Sequence, residues 1–362
     1  MFRKIAEGDV FSTTKKCATS GPRTAILPDG RIICTFMVNS AGGANDFVPM
    51  AAYSPDGAAW GEAKEIWPSL TGKMSTFVSV RPTGDGRVCL GGKQWIIDAP
   101  GEAFWSDEAN GMKDNKLVFS LSDDGVSFPL PTAVDLPFYG SAENPGGMLA
   151  DADGALHLIY SPYPTIRQLE ATDTRCMVHL VSRDGGKSFA AEKFAIVPAP
   201  SLYAESWLTR LSDGRLFVST WQTASPAAPN QYLVSDGPDF DLRGPFPQPV
   251  RGQSTGICPG KDGSVYIAYN QRKEQPAGVW LAMERPEKDA PGLIANEPVW
   301  QAESVTQSGS SGDFSQWTDF AFGEPHVSLM PDDTLLVVLW YQQGDKKGIR
   351  YVRLAQESSV HA

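Results

Sequence analysis

Short apolar runs alternate with turn residues along the whole chain. Six times an Asp-centred turn separates two runs rich in Val, Ile, Leu and Phe: AILPDGRIICTF, VRPTGDGRVCLGG, MLADADGALHLIY, TRLSDGRLFVST, ICPGKDGSVYIAY and SLMPDDTLLVVLW. Runs this short, bounded by Gly, Pro and Asp, predict strands, and Asp-Gly between them predicts hairpins because Gly accepts the positive φ of a tight turn. The sixth copy has Asp333 where the other five have Gly. The turn aspartates Asp29, Asp85, Asp153, Asp213, Asp262 and Asp332 recur at intervals of about 61 residues, so six units use up the chain.

A second turn follows each of the first three hairpins: SPDGAAW (54–60), SDDGVSF (122–128) and SRDGGKSF (182–189), with a worn copy, SDGPDF (235–240), in the fourth unit. Asp and Ser bond nearby backbone groups in such a turn, and the closing aromatic packs down between strands. Each unit therefore reads as four antiparallel strands, and the chain as an all-β, six-bladed propeller. The expected blades are 18–67, 74–136, 142–197, 203–250, 252–301 and 320–356. The last supplies only three strands, so residues 1–11 are expected to be its outer strand, closing the ring and removing free sheet edges.

The 362 residues would ordinarily suggest two or three domains, but the repeat replaces that reading with one closed ring. A formal charge of −11 has the wrong sign for a protein that wraps a phosphate backbone, and no apolar run is long enough for a membrane helix. Nucleic acid and membrane are therefore not expected as partners, and the sequence leaves the oligomeric state open. Five cysteines without close pairing suggest neither a disulfide framework nor a zinc site, and no spacing of His, Asp and Glu marks a metal. No cofactor is expected. The opening MFRKIAEGDVF lacks the apolar stretch of a secretory signal, so the expectation is a cytoplasmic protein as written, or a periplasmic or secreted one if a signal was removed.

In such a blade order the Asp turns share one face, and the starts of the inner strands converge on the other. Polar residues occupy every inlet: Arg23, Ser75 and Thr76, Glu143 and Asn144, Glu205 and Ser206, Gln253 and Ser254, Glu324 and His326. Nearby loops add Asp46, Arg272 and two aromatic-rich stretches containing Trp95, Trp105 and Trp317. Aromatic rings beside carboxylates suit sugars, whose C–H faces stack on them. His157 and His179 lie within strands, far from this mouth, and read as structural.

At this level the chain resembles the sialidase superfamily along nearly its whole length. SPDGAAW, SDDGVSF and SRDGGKSF resemble its Asp boxes, and AESWLTRLSDGRLFVST resembles its Glu-Ser segment. The resemblance implies Glu205 as the carboxylate that activates the nucleophile, Arg23 as a substrate-binding arginine and Asp46 as the acid/base. It departs from the family where STWQT places Trp221 instead of a second arginine, and where FGEPHVSLM shows no nucleophilic tyrosine, leaving Glu324 to take that position. Arg272 is a looser match for a third arginine.

The expected activity is a sialidase-like exo-glycosidase acting on a terminal acidic sugar. Asp46, Glu205 and Glu324 would be catalytic, and Arg23, Arg272, His326, Trp95 and Trp317 would bind substrate. With a net charge of −11, an acidic substrate demands a local basic patch at the mouth. Two alternatives stay open: a carbohydrate-binding propeller without chemistry, and a polysaccharide lyase in which His326 and Arg23 act on a uronic acid.

Overall fold

The computed structural model describes residues 1–109, 111–135, 141–143, 148–167, 175–196, 203–222, 229–287, 292–309 and 317–357. They form six antiparallel sheets around one axis, each running outward from an inner strand. Blade one is Ala18–Ile26, Ile32–Asn39, Val48–Ser54 and Lys64–Glu65. Blade two is Met74–Pro82, Val88–Ile96, Lys116–Ser122 and Thr132–Val134. In blade three the inner position is held by Ser141–Glu143 and Met148–Ala150, followed by Leu156–Tyr163, Met177–Ser182 and Ala190–Phe194.

Blade four is Tyr203–Arg210, Leu216–Gln222, Gln231–Val234 and Arg243–Pro247, and blade five Gln253–Pro259, Val265–Gln271, Gly278–Arg285 and Gly292–Gln301. Blade six takes Phe322–Leu329, Leu335–Gln343 and Lys346–Gln356 from the end of the chain and Phe2–Thr13 from its start. Phe2–Thr13 pairs along its length with Lys346–Gln356, from Phe2 opposite Gln356 to Thr13 opposite Lys347.

The core lies between neighbouring blades. Val279 and Leu281 of blade five pack with Val327, Val337 and Leu339 of blade six, and Leu158 and Val178 of blade three with Cys89 and Leu117 of blade two. Strands covered on both faces carry near-continuous apolar runs, which is why LLVVLWY and LHLIY do not alternate.

The Ser-Asp turns contribute to this packing. In each of the first three, the Asp carboxylate accepts two backbone N–H groups: Ala58 and Ala59 on Asp56, Val126 and Ser127 on Asp124, Lys187 and Ser188 on Asp184. The Ser hydroxyl opening each turn donates to the same carboxylate and accepts a glycine N–H, as Ser122 does with Asp124 at 2.8 Å and Gly125 at 2.9 Å. These donors hold the Asp124 and Asp184 carboxyls well below the usual range. A glycine of each turn rests on the preceding blade: Gly57 on Met330 and Leu336, Gly125 on Leu27, and Gly186 on Phe119.

Four inner strands carry the same irregularity at the mouth. Residues 21 and 22, 205 and 206, 254 and 255, and 324 and 325 each place two residues opposite one on the neighbouring strand. Such bulges re-aim a side chain locally and are frequent beside functional sites. The first bulge residue has φ 58° at Gly21, 49° at Glu205 and 46° at Glu324. A Cβ at Gly21 would meet Phe77 Cζ at 2.6 Å and Met37 Cε at 2.7 Å, so a side chain there would have to displace both in addition to bearing a left-handed backbone. At the two equivalent positions in blades four and six the chain places a glutamate.

The turn packing makes a prediction. Gly125 has φ 65°, and a Cβ there would lie 2.2 Å from Leu27 Cδ2. Gly125→Ala should lower the unfolding free energy by about 2–4 kcal/mol in a urea titration, adding overpacking to backbone strain. Gly154→Ala, at φ 83° with nothing within 4 Å, should cost only about 1 kcal/mol.

Candidate functional site

The mouth opens into a cavity of about 710 Å³ whose floor is made by the bulged inner strands. Arg23 is 2% exposed, and its Nη1 donates to the carbonyls of Pro22 and Glu324, each at 2.7 Å. Arg272, at the end of the second strand of blade five, lies with Cζ 3.9 Å from the Phe320 ring centre and donates through Nη2 to the Phe322 carbonyl. Burial pushes both arginine pKa values down. Glu324, Glu205 and Glu143 oppose that shift at Arg23, and Glu205 and Glu324 oppose it at Arg272.

The carboxylates are held in turn. Glu324 Oε2 accepts the Gly21 N–H at 2.7 Å, tying blade six to blade one at the bulge. Glu143 Oε2 accepts the Glu205 N–H at 2.9 Å, and its Oε1 lies 3.1 Å from Lys93 Nζ. Lys93 is 6% exposed and is the one charged residue of Val88–Ile96. Tyr163, buried beside this group, has its hydroxyl pKa raised well above the usual value, first by desolvation and then by Glu143 and Glu205.

Aromatic rings wall the cavity. Phe47 meets Phe77 edge-on at 5.4 Å, Phe104 at 5.3 Å and Trp95 at 6.0 Å, and Phe104 reaches Trp317 at 5.7 Å. Trp221, Trp340 and Tyr341 are further lining residues, from blades four and six. Gly43 in the loop of blade one leaves room for Trp317, whose Cη2 would be 3.6 Å from a Cβ there.

Of the residues singled out from sequence, Arg23, Glu205, Arg272, Trp95, Trp317 and Glu324 all line this cavity. They do so differently: Trp317 is 39% exposed and presents its ring, while Trp95 is 1% exposed, donates to the Lys113 carbonyl at 3.0 Å and backs Phe104. Two residues do not line it. Asp46 accepts the Ser40 N–H at 3.1 Å, within the loop of blade one. His326 lies beneath the floor, 2% exposed, between Thr24 and Arg81.

The sequence reading passed over Lys93, Tyr163, Asp107 and Lys347, which also line the cavity. Lys93 left one trace, a lone charge inside a strand. Among the described lining residues the cations Arg23, Lys93, Arg272 and Lys347 are matched by Asp107, Glu143, Glu205 and Glu324, so the cavity has no net positive charge. No group of three or more His, Cys, Asp and Glu able to hold a metal occurs among the described residues.

The Lys93–Glu143 pair supports the floor from inside. Lys93→Met leaves Glu143 buried without its partner and should cost about 3–5 kcal/mol of stability, and Glu143→Gln added to it should restore much of the loss. Urea unfolding of the two single variants and the double variant measures the coupling.

No family model matches this sequence, and neither does any curated protein. Solved structures do. A protein of unknown function from Dyadobacter fermentans is 14% identical with a TM-score of 0.76, covering 98% of this chain and 99% of that one. An α-L-arabinanase of Penicillium chrysogenum complexed with arabinobiose is 16% identical at TM-score 0.63, covering 97% and 98%. The NanB sialidase of Streptococcus pneumoniae is 12% identical at TM-score 0.59, covering 98% of this chain and 70% of that one. The chain thus has the six-bladed fold of the sialidase-like propellers, at a sequence distance that makes it a divergent example.

Proposed function

We propose that the mouth is the active site of a glycoside hydrolase that removes a terminal sugar, with Glu205 and Glu324 as its reacting carboxylates. The observation that carries this reading is their placement. Both sit on the same inner-strand bulge in left-handed backbone, both influence the same two buried arginines, and both line an aromatic-walled cavity. Non-glycine residues held at positive φ are costly and cluster where function needs them. Two of the similar folds, the arabinanase and the sialidase, have names that denote action on carbohydrates.

In the proposed reaction one carboxyl group gives its proton to the glycosidic oxygen as the anomeric C–O bond breaks. The other carboxylate either takes a proton from the water that attacks the anomeric carbon, or attacks that carbon itself to form a glycosyl ester, which water then cleaves as the first carboxylate takes the water's proton. By either route the water oxygen ends on the released sugar. Trp317 offers its face to a sugar ring, and Arg23 and Arg272 accept hydrogen bonds from none of the sugar hydroxyls but can donate to them. A floor that closes on buried Arg23 suits the end of a chain rather than its middle.

Two earlier expectations shift within this proposal. The acidic-sugar reading required a basic patch, whereas the described lining is charge-matched within a protein of net charge −11, which favours a neutral sugar. Asp46 serves the loop of blade one, and the acid role moves to the floor carboxylates. The lyase alternative relied on His326, which lies under the floor.

A panel of chromogenic terminal glycosides, neutral, uronide and sialoside, tests the proposal. Wild type should turn over a neutral glycoside, Glu205→Gln and Glu324→Gln should each lower kcat/KM by about 10³-fold, and Asp46→Asn should stay within about threefold of wild type. Unchanged activity in both glutamine variants, or binding without turnover by the wild type, would refute it.

A further inference from the structure

Below the floor, blades one, two, four and six meet on the axis. Arg81 of blade two lies with Cζ 3.5 Å from the Trp207 ring centre of blade four, and Arg23 of blade one lies 4.6 Å from the same ring. Arg81 Nη1 is 3.0 Å from His326 Nε2 of blade six.

This cluster has more donors than acceptors. A neutral imidazole offers one acceptor nitrogen, yet Arg81 Nη1 lies 3.0 Å from Nε2 of His326 and the Thr24 N–H lies 3.2 Å from Nδ1, where the Thr24 hydroxyl at 3.3 Å can accept a proton from the ring if Nδ1 carries it. Arg81 Nε and Nη2 and Arg23 Nε are shut off from solvent without a hydrogen-bond partner among the described residues. Arg23 has Glu324, Glu205 and Glu143 above it, whereas Arg81 is disfavoured as a cation first by burial and then by Arg23, and is opposed only by the Cys258 thiol, not by a carboxylate, among the described residues. An indole face shared by two guanidinium groups offsets part of the cost of burying them and leaves their mutual repulsion.

We propose that the guanidinium cluster beneath the floor binds a small monovalent inorganic anion of the size of chloride, held by Arg81 with Arg23. The anion supplies the acceptor and the negative charge that the surrounding side chains lack. Because Arg23 also forms the floor of the cavity, the site would link anion concentration to the rigidity of the mouth.

Thermal unfolding at constant ionic strength in sodium chloride, sodium bromide and sodium gluconate tests this on the whole chain. Wild type should unfold about 3 °C or more higher in chloride and bromide than in gluconate, with a saturating dependence on halide, and Arg81→Gln should lose that difference. Crystals soaked in bromide should show an anomalous peak beside Arg81 on the axis, which keeps the test open if Arg81→Gln does not fold. Equal stability in halide and gluconate, or bromide found only on the outer surface, would overturn the proposal.

Discussion

Buried guanidinium groups set the terms for the rest of this molecule. A propeller brings six inner strands together on one axis, and here three of the side chains delivered there or beside it are arginines: Arg23 and Arg272, both buried, and Arg81, half-buried with its Nε and Nη2 closed off from water. A charge removed from water must be met by opposite charge, by hydrogen-bond acceptors or by polarisable rings. At the mouth, carboxylates and backbone carbonyls meet Arg23 and Arg272, while Trp207, Phe320 and Phe322 lie against the guanidinium planes. Deeper in the ring, among the described residues, Arg81 lies against Trp207 and His326 and meets no carboxylate.

The need for carboxylates at the mouth explains the strained backbone there. The bulge that gives blade one Gly21 gives blades four and six Glu205 and Glu324, at φ values that L side chains rarely adopt. Each such residue costs on the order of 1–3 kcal/mol, which a ring packed blade against blade can absorb. Glycine would satisfy the backbone at these positions. Glutamate gives up that relief and places a carboxylate close enough to stabilise the charge of the buried arginines.

Most of the fold was legible because its punctuation is chemical. Asp-Gly hairpins and Ser-Asp turns recur with apolar runs between them, and the three-strand final unit called for a strand from the start of the chain. Glu205 and Glu324 were legible for a related reason, since they stand at fixed offsets before recurrent turns. His326 misled because it lies two residues after Glu324, which in a regular strand would put both on one face. The bulge between them separates their directions, and a hydrophobic pattern does not reveal a bulge. Asp46 misled because a carboxylate that caps loop backbone looks, in sequence, like one that faces a substrate. Lys93 was passed over because a lone charge in a strand shows a partner only once blade three brings Glu143 alongside.

Hydrolysis by the carboxylates gathered over the buried arginines would release a new reducing end. Proton NMR of neutral oligosaccharides incubated with the protein tests it most directly, through the anomeric signals of newly released reducing sugars. Those signals should grow with time for the wild type and be absent for a folded Glu205→Gln, Glu324→Gln double variant. Equal release by the two proteins, or none by the wild type across the oligosaccharides tested, would contradict the account.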